Sequence, residues 1–312
     1  LPTLFLESDE LPLNTTAKQT IQPLVVIQRN PNSGSGRGRG ELLIVSRELR
    51  KRGYCVRMFS DRKRLDLYVL QIPASRSLKC IVGAGGDGTV TDLANRHPGV
   101  PVAILPLGTE NLLACYLKLP CCGRSLAEII DRGRVRCFDS AQANGLRFLL
   151  MLSVGIDAEI VEAIHRTRTG NIYRHGYLWP TLKAFFQSRP AVYVASSADG
   201  STVISGSHVI VTNVPRYGFG LPFAINAEPD DGLLDVRAFH GKSRWDIFCH
   251  AVKLRLGLPL KADEVSRFTA SSVTIHAADP TRSMPSQCDG DPGPSLPIQI
   301  SIEPRSLTLI TP

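Results

Sequence analysis

A chain of 312 residues is long enough for two modest domains, and 43% hydrophobic content is that of an ordinary globular protein. Its longest nearly unbroken apolar stretch, residues 148–156, is far short of the roughly 20 residues a spanning helix needs. The net charge of +8 is concentrated in residues 1–140, which carry 20 Lys/Arg against 13 Asp/Glu and suit polyphosphate, an anionic membrane surface or nucleic acid, whereas the remainder is nearly balanced at 16 against 15.

In chain order, residues 24–29 read as a buried strand that stops at the glycine-rich segment 30–40, which cannot be a regular element. Residues 41–52 show helical periodicity, with Leu42, Val45 and Leu49 on one face and Gly53 as a C-terminal stop. A strand is expected at 54–59, another at 79–83, a short helix at 89–97 and a further strand at 100–107. Strands alternating with short helices predict a doubly wound, mostly parallel α/β sheet, whose ligand lies at the carboxyl ends of the strands. From about Cys137 the texture changes. Runs at 147–153, 191–197, 208–213, 233–239, 272–276 and 298–302 are β-like and separated by Gly, Pro, Asn and Asp, which predicts a β-rich antiparallel C-terminal domain. Residues 245–256 are helical, and Trp245, Phe248, Cys249, Val252 and Leu256 share one face. That face suits packing on a core better than pressing on a membrane.

Eight scattered cysteines with no C-x-x-C argue for thiols in a reducing compartment. No signal-peptide pattern opens the chain at Leu1-Pro2-Thr3-Leu4, so a cytoplasmic location is expected. There is no P-loop, no G-x-S-x-G elbow and no H-E-x-x-H. Nucleic-acid binding has only charge in its favour and is not expected.

The run Val82-Gly83-Ala84-Gly85-Gly86-Asp87-Gly88-Thr89 carries the chemistry. Its glycines let backbone approach phosphate oxygens, and a helix beginning there aims free N–H groups at the same anion. Asp87 repels phosphate unless a divalent cation or a proton intervenes, so the run reads as a site for a metal-loaded nucleotide. It also satisfies G-x-G-x-x-G, but a dinucleotide fold is disfavoured by Asp87 inside the fingerprint and by two strands preceding it. Asp289-Gly290-Asp291 places two carboxylates either side of a turn glycine. It reads either as a tight turn or as a pair in which one carboxylate accepts a proton and the other orients neighbours. Asp231 sits in an acidic turn that reads either as an ordinary solvated turn, the default, or as one offering oxygen ligands to a hard cation.

The order of these motifs resembles the diacylglycerol kinase catalytic-domain family, which includes bacterial lipid kinases and sphingosine kinases, with NAD kinases as more distant relatives. The resemblance is carried by Asn30-Pro31-Asn32-Ser33-Gly34, Gly85-Gly86-Asp87-Gly88-Thr89, Pro106-Leu107-Gly108-Thr109-Glu110-Asn111, Val154-Gly155-Ile156-Asp157-Ala158-Glu159, Asp230-Asp231-Gly232-Leu233 and Asp289-Gly290-Asp291. It implies an ATP-binding α/β domain over residues 1–138, joined by a return of about 295–312, and a β-rich lipid-substrate domain over 139–294. It further implies that Asn30, Pro31, Asn32, Ser33 and Gly34 contact ATP, that Ser60 touches the nucleotide, and that Thr109 completes the pocket. Gly85, Gly86, Asp87, Gly88, Thr89, Val90, Thr91 and Asp92 would wrap the phosphates. Asp231, with the carbonyls of Glu228 and Leu233, matches a Mg²⁺ site, and Asp291 stands where relatives carry the glutamate proposed as general base. Two departures are the aspartate at 291 and Leu112 in place of an acid.

The expected function is transfer of a phosphoryl group from Mg-ATP to a diacylglycerol- or sphingoid-like hydroxyl, with Asp291 and Asp87 as the catalytic pair. The expected partners are ATP, the lipid and a transient anionic membrane surface to which the protein is peripheral; homodimer formation is left open. An NAD kinase-like enzyme with a soluble acceptor and a non-catalytic lipid or nucleotide sensor are the rival readings.

Overall fold

The computed structural model describes residues 22–30, 38–73, 75–167, 185–186, 191–218, 220–281 and 284–312. The expected ATP contacts Pro31, Asn32, Ser33 and Gly34 lie outside them.

The first half alternates β1 (Leu24–Arg29), α1 (Arg39–Lys51), β2 (Cys55–Phe59), α2 (Arg62–Leu70), β3 (Leu78–Gly85), α3 (Asp87–Arg96), β4 (Val102–Pro106), α4 (Leu112–Tyr116) and α5 (Gly123–Arg132). There follow β5 (Val135–Ala143), β6 (Leu146–Phe148), β7 (Met151–Val154), α6 (Ile156–Thr167), β8 (Tyr193–Ser197), β9 (Val203–Gly206), β10 (His208–Thr212) and β11 (Leu234–Phe239). The chain ends with α7 (Arg244–Arg255), β12 (Val265–Ala270), β13 (Ser272–Ala277), β14 (Ser286–Cys288), β15 (Asp291–Pro292) and β16 (Ile298–Ile310).

The strands β2, β1, β3 and β4 lie side by side and parallel. Leu24, Val25, Val26 and Ile27 are fully buried, as are Ile81 and Val82, which is why these strands read as continuous apolar runs and not as alternating ones. The helix α2 has a single fully buried residue, Leu65, too little for its periodicity to register in the sequence. The helix α3 begins at Asp87, two residues before the expected start, so the carboxylate belongs to the first helical turn.

The long strand β16 joins the two halves. It runs parallel to β4 at Leu309 and Val102, antiparallel to β5 along most of its length, and antiparallel to β13, beyond which lie β8 and β9. The expected boundary between residues 138 and 139 therefore falls inside β5. Asp139, the first residue past that boundary, is 1% exposed, and its carboxylate accepts the Arg305 N–H at 2.7 Å and the Gly232 N–H at 2.8 Å. One buried side chain thus ties the irregular middle of β16 to the acidic turn around Asp231.

The second sheet, in the order β12-β11-β10-β7-β14-β15, is antiparallel throughout. Its inner face packs with β5, β8, β13 and β16 through Phe148, Leu152, Tyr193, Val211, Val236, Ile275 and Ile300. No helix among the described residues is long and apolar enough to cross a membrane.

One expectation is reversed by the fold. The face of α7 carrying Trp245, Phe248, Val252 and Leu256 is exposed, while His250 is buried and Ile247 and Leu254 pack on the core. Both faces of this helix are apolar, so periodicity alone could not say which one turns inward.

Candidate active site

The loop after β3 and the loop after β4 are pressed together at the carboxyl ends of their strands. A Cβ on Gly108 would lie 2.4 Å from the Gly86 Cα and 2.7 Å from the Asn111 Oδ1, so glycine is required by contact at this point. The Asn111 side chain locks the second loop: its Oδ1 accepts the Gly108 N–H and its amide donates to the Gly108 carbonyl, both at 2.9 Å. A Cβ on Gly88, in contrast, would meet nothing within 4 Å. Gly108→Ala is therefore expected to lower stability by about 2 kcal/mol through overpacking against backbone, whereas Gly88→Ala should leave the urea midpoint close to wild type.

Asp87 joins the two loops electrostatically. Its Oδ2 accepts the Leu112 N–H at 2.9 Å and its Oδ1 the Leu113 N–H at 3.1 Å, so it satisfies two orphan donors at the start of α4. Burial pushes its carboxyl above the ordinary value, against the pull of those N–H groups. Asn30, at the end of β1, donates to the Thr89 hydroxyl at 3.3 Å, which brings two of the expected nucleotide residues together.

Thr91, one turn into α3, reaches the other half of the chain. Its hydroxyl donates to the Asp289 Oδ2 at 3.3 Å. The same carboxylate accepts the N–H groups of Leu149 at 2.8 Å, Leu150 at 2.9 Å and Met151 at 3.0 Å. Burial pushes the Asp289 carboxyl up to about 6; the three N–H groups pull it down, and the nearby Asp87 carboxylate adds to the rise. Asp289 has φ +51, and the turn it begins presents Asp291 as an exposed residue on β15. The two carboxylates are thus divided between an internal tie and an outward group.

Behind this turn lies a polar network that the sequence motifs do not reveal. The Gln287 Oε1 accepts the Gly290 N–H at 2.9 Å and the Tyr217 hydroxyl at 3.3 Å, while its amide donates to the Ser153 Oγ at 2.7 Å and the Asp157 Oδ2 at 3.3 Å. Asp157 also accepts from the Ser153 hydroxyl and lies 3.0 Å from the His208 Nε2. Burial works to raise the Asp157 carboxyl, but His208, Ser153 and the Ala158 N–H outweigh it and hold it below the usual range. The one signal available in sequence was Ser153 inside the otherwise apolar strand β7; Gln287, in the short polar strand β14, gave none, and both are fully buried.

The remaining expected residues are placed variously. Ser60 and Thr109 are exposed beside their loops, and Gly85 ends β3. The Val90 side chain is in the core, and the Asp92 carboxylate is taken up by Arg96 at 2.7 Å, Gln28 at 3.2 Å and Arg62 at 3.3 Å. Asp231 is exposed, and its Oδ1 accepts the Leu233 N–H at 2.9 Å. Its neighbour Asp230 is paired with Arg136, and Glu228 and Leu233 are exposed on either side. Among the described residues no three His, Cys, Asp or Glu side chains converge on one point. One carboxylate with backbone carbonyls is a donor set of hard oxygens, which fits Mg²⁺.

Residues 23–143 match the diacylglycerol kinase catalytic domain, and residues 151–311 match the YegS C-terminal NAD kinase beta sandwich-like domain. A diacylglycerol kinase of Mycobacterium tuberculosis is 26% identical over 269 residues, covering 78% of this chain and 81% of that protein. The uncharacterized protein sll0036 of Synechocystis sp. is 24% identical over 242 residues, covering 74% of this chain and 54% of that protein, so the match spans about half of that relative's length. Among solved structures, a diacylglycerol kinase from Bacillus anthracis superimposes with a TM-score of 0.67 at 21% identity, covering 94% of this chain and 97% of that one. Yeast NADH kinase gives 0.51 at 11% identity, covering 94% and 84%, respectively.

Proposed function

The chain belongs to the diacylglycerol kinase catalytic-domain family with a YegS-type C-terminal domain, and from that premise we propose that it is an ATP-dependent lipid kinase. The acceptor is the hydroxyl of a diacylglycerol- or sphingoid-like lipid. The observation that carries this reading is the hydrogen bond from Thr91 to Asp289, which couples the glycine loop to the turn bearing Asp291.

In this reading residues 1–138 and about 295–312 hold the nucleotide, and 139–294 hold the lipid. The N–H groups around Gly86 and Gly88 and the Asn30 side chain receive the phosphates, with the buried Thr89 hydroxyl holding Asn30 in place and Ser60 and Thr109 at the edges of the pocket. Asp87 contributes by fixing the two loops against each other. Asp291 accepts the proton of the lipid hydroxyl as its oxygen forms a bond to the γ-phosphorus; the bond between that phosphorus and the β,γ-bridging oxygen breaks, and ADP leaves with the electron pair. Positioning and charge neutralisation supply most of the rate. Magnesium would be held at Asp231 and the carbonyls of Glu228 and Leu233, where it stabilises the acidic turn, and would accompany the ATP phosphates, whose charge it neutralises. The protein works at the cytoplasmic face of a membrane as a peripheral enzyme.

Purified protein with Mg-ATP labelled in the γ-position is expected to transfer label to a lipid in a total extract, with diacylglycerol, ceramide and sphingoid bases tested singly and NAD alongside. Label on NAD alone would replace the lipid acceptor by a soluble one. Tight ATP binding with no labelled product would favour a sensor.

A further inference from the structure

The outward face of α7 is apolar where a surface helix is ordinarily polar. Trp245, Phe248, Val252 and Leu256 follow one another at helical spacing and are 52%, 50%, 39% and 67% exposed, with Leu258 just beyond them at 51%. At the start of the helix Trp245 contacts Phe248, Phe185 and Phe186 edge-to-face, and Phe248 contacts Phe185, with centroids 5.2–6.3 Å apart. The helix is held firmly beneath this face. Ser243 and Asp246 form a capping box, His250 is buried against Phe239 at 6.0 Å, and Phe239 contacts His208, the partner of Asp157. The stripe is therefore connected by packed side chains to the network that holds the Asp291 turn.

The charges around the stripe are sorted. Lys242, Arg255 and Lys261 are exposed, and the Arg244 guanidinium lies over the Phe186 ring at 5.8 Å. Of the acids nearby, Asp246 is committed to the capping box, accepting the Lys242 and Ser243 N–H groups, and Glu264 is paired with Lys253, which leaves Asp263 as an exposed acid beyond the helix. Aromatic rings at one end, aliphatic side chains along the middle and cations at the margin match the layered chemistry of an anionic bilayer surface. We infer that α7 lies in such a surface, its stripe from Trp245 to Leu258 among the acyl chains and its cations at the headgroups. The inference rests on the lipid-kinase reading, because a lipid acceptor is delivered from a bilayer.

Cosedimentation tests it with vesicles of phosphatidylcholine alone and of phosphatidylcholine mixed with an equal part of phosphatidylglycerol. Wild type is expected to pellet with the mixed vesicles, and less with the neutral ones. The pair Trp245→Ala and Phe248→Ala should weaken partitioning by about tenfold or more, since each removes an apolar side chain from the bound face. The pair Lys242→Glu and Arg255→Glu should abolish the preference for phosphatidylglycerol. In a Trp179→Phe background, Trp245 fluorescence should shift to the blue on the mixed vesicles and less on the neutral ones, a readout that needs no change to the stripe. Undiminished sedimentation of the aromatic pair variant, or an unshifted Trp245 emission, overturns the inference. Conversion of a wild-type dimer to a monomer by that pair also overturns it and assigns the stripe to a second copy of the chain. Sedimentation requires no turnover. Vesicle binding without transfer to any lipid defeats only the kinase reading, and transfer to detergent-dispersed lipid without vesicle binding defeats only this one.

Discussion

Asp289→Ala is expected to lower the stability of the fold by about 3 kcal/mol or more, because it leaves three backbone N–H groups without an acceptor at roughly 1–3 kcal/mol each. Those groups belong to Leu149, Leu150 and Met151, none of which is more than 2% exposed, so water cannot readily replace the carboxylate. Asp289→Asn should fall between wild type and alanine. Its oxygen can still serve Leu150 and Met151, but its NH₂ then faces the Leu149 N–H. The cost should also depend on pH with a definite sign. The folded protein holds the Asp289 proton up to about pH 6, whereas the unfolded chain releases it near pH 4. Stability from this group is therefore complete below about pH 4 and is lost as pH rises through about 6. Urea titrations of wild type and Asp289→Ala should accordingly diverge most at the acid end and converge somewhat by neutrality. A gap independent of pH would show that Asp289 does not titrate in this window.

The same residue shows where sequence reading stops. The strands β1, β3 and β4 were legible because burial on both faces makes them nearly unbroken apolar runs, but the glycine runs hid the element ends: Gly40 already lies in α1, Gly85 still belongs to β3 and Gly88 lies in the first turn of α3. The pairing of Asp289 with residues 149–151 spans about 140 positions and exists only once β7 lies beside β14. Asp87 illustrates the point again. Its position within the glycines suggests a metal or phosphate, but both its oxygens are committed to the Leu112 and Leu113 N–H groups. The substitution of leucine for an acid at 112 leaves that arrangement intact, since the contact is made by backbone. Periodicity also could not orient α7, whose two apolar faces compete for the core. The strand β5 itself was not legible for a related reason: it pairs with β16, the last strand of the chain, and nothing local in residues 135–143 announces that partner.

Asp291→Asn is expected to lower kcat by about two to four orders of magnitude, the range typical of losing a general base, with the KM for ATP and the urea midpoint little changed. The separation follows from geometry. Asp291 takes part in the fold through its backbone, which pairs with Cys288, while its side chain is exposed. The fixed parts of the turn are its neighbours, Asp289 on the N–H groups of Leu149, Leu150 and Met151 and Gly290 on Gln287. An amide at 291 keeps the size and polarity of the side chain and removes only its capacity to take a proton. Asp291→Glu provides the complementary test. A further methylene extends the carboxylate from the same anchored backbone, so kcat should be retained or raised if reach limits the native side chain. Single-turnover measurements on the labelled acceptor would separate this chemical step from lipid delivery. An asparagine variant turning over at the wild-type rate would remove Asp291 from proton transfer. A glutamate variant as slow as the asparagine one would mean that the turn is fitted to the shorter acid, the position of the carboxylate being set by Gln287 and Asp289 and not by the length of the side chain.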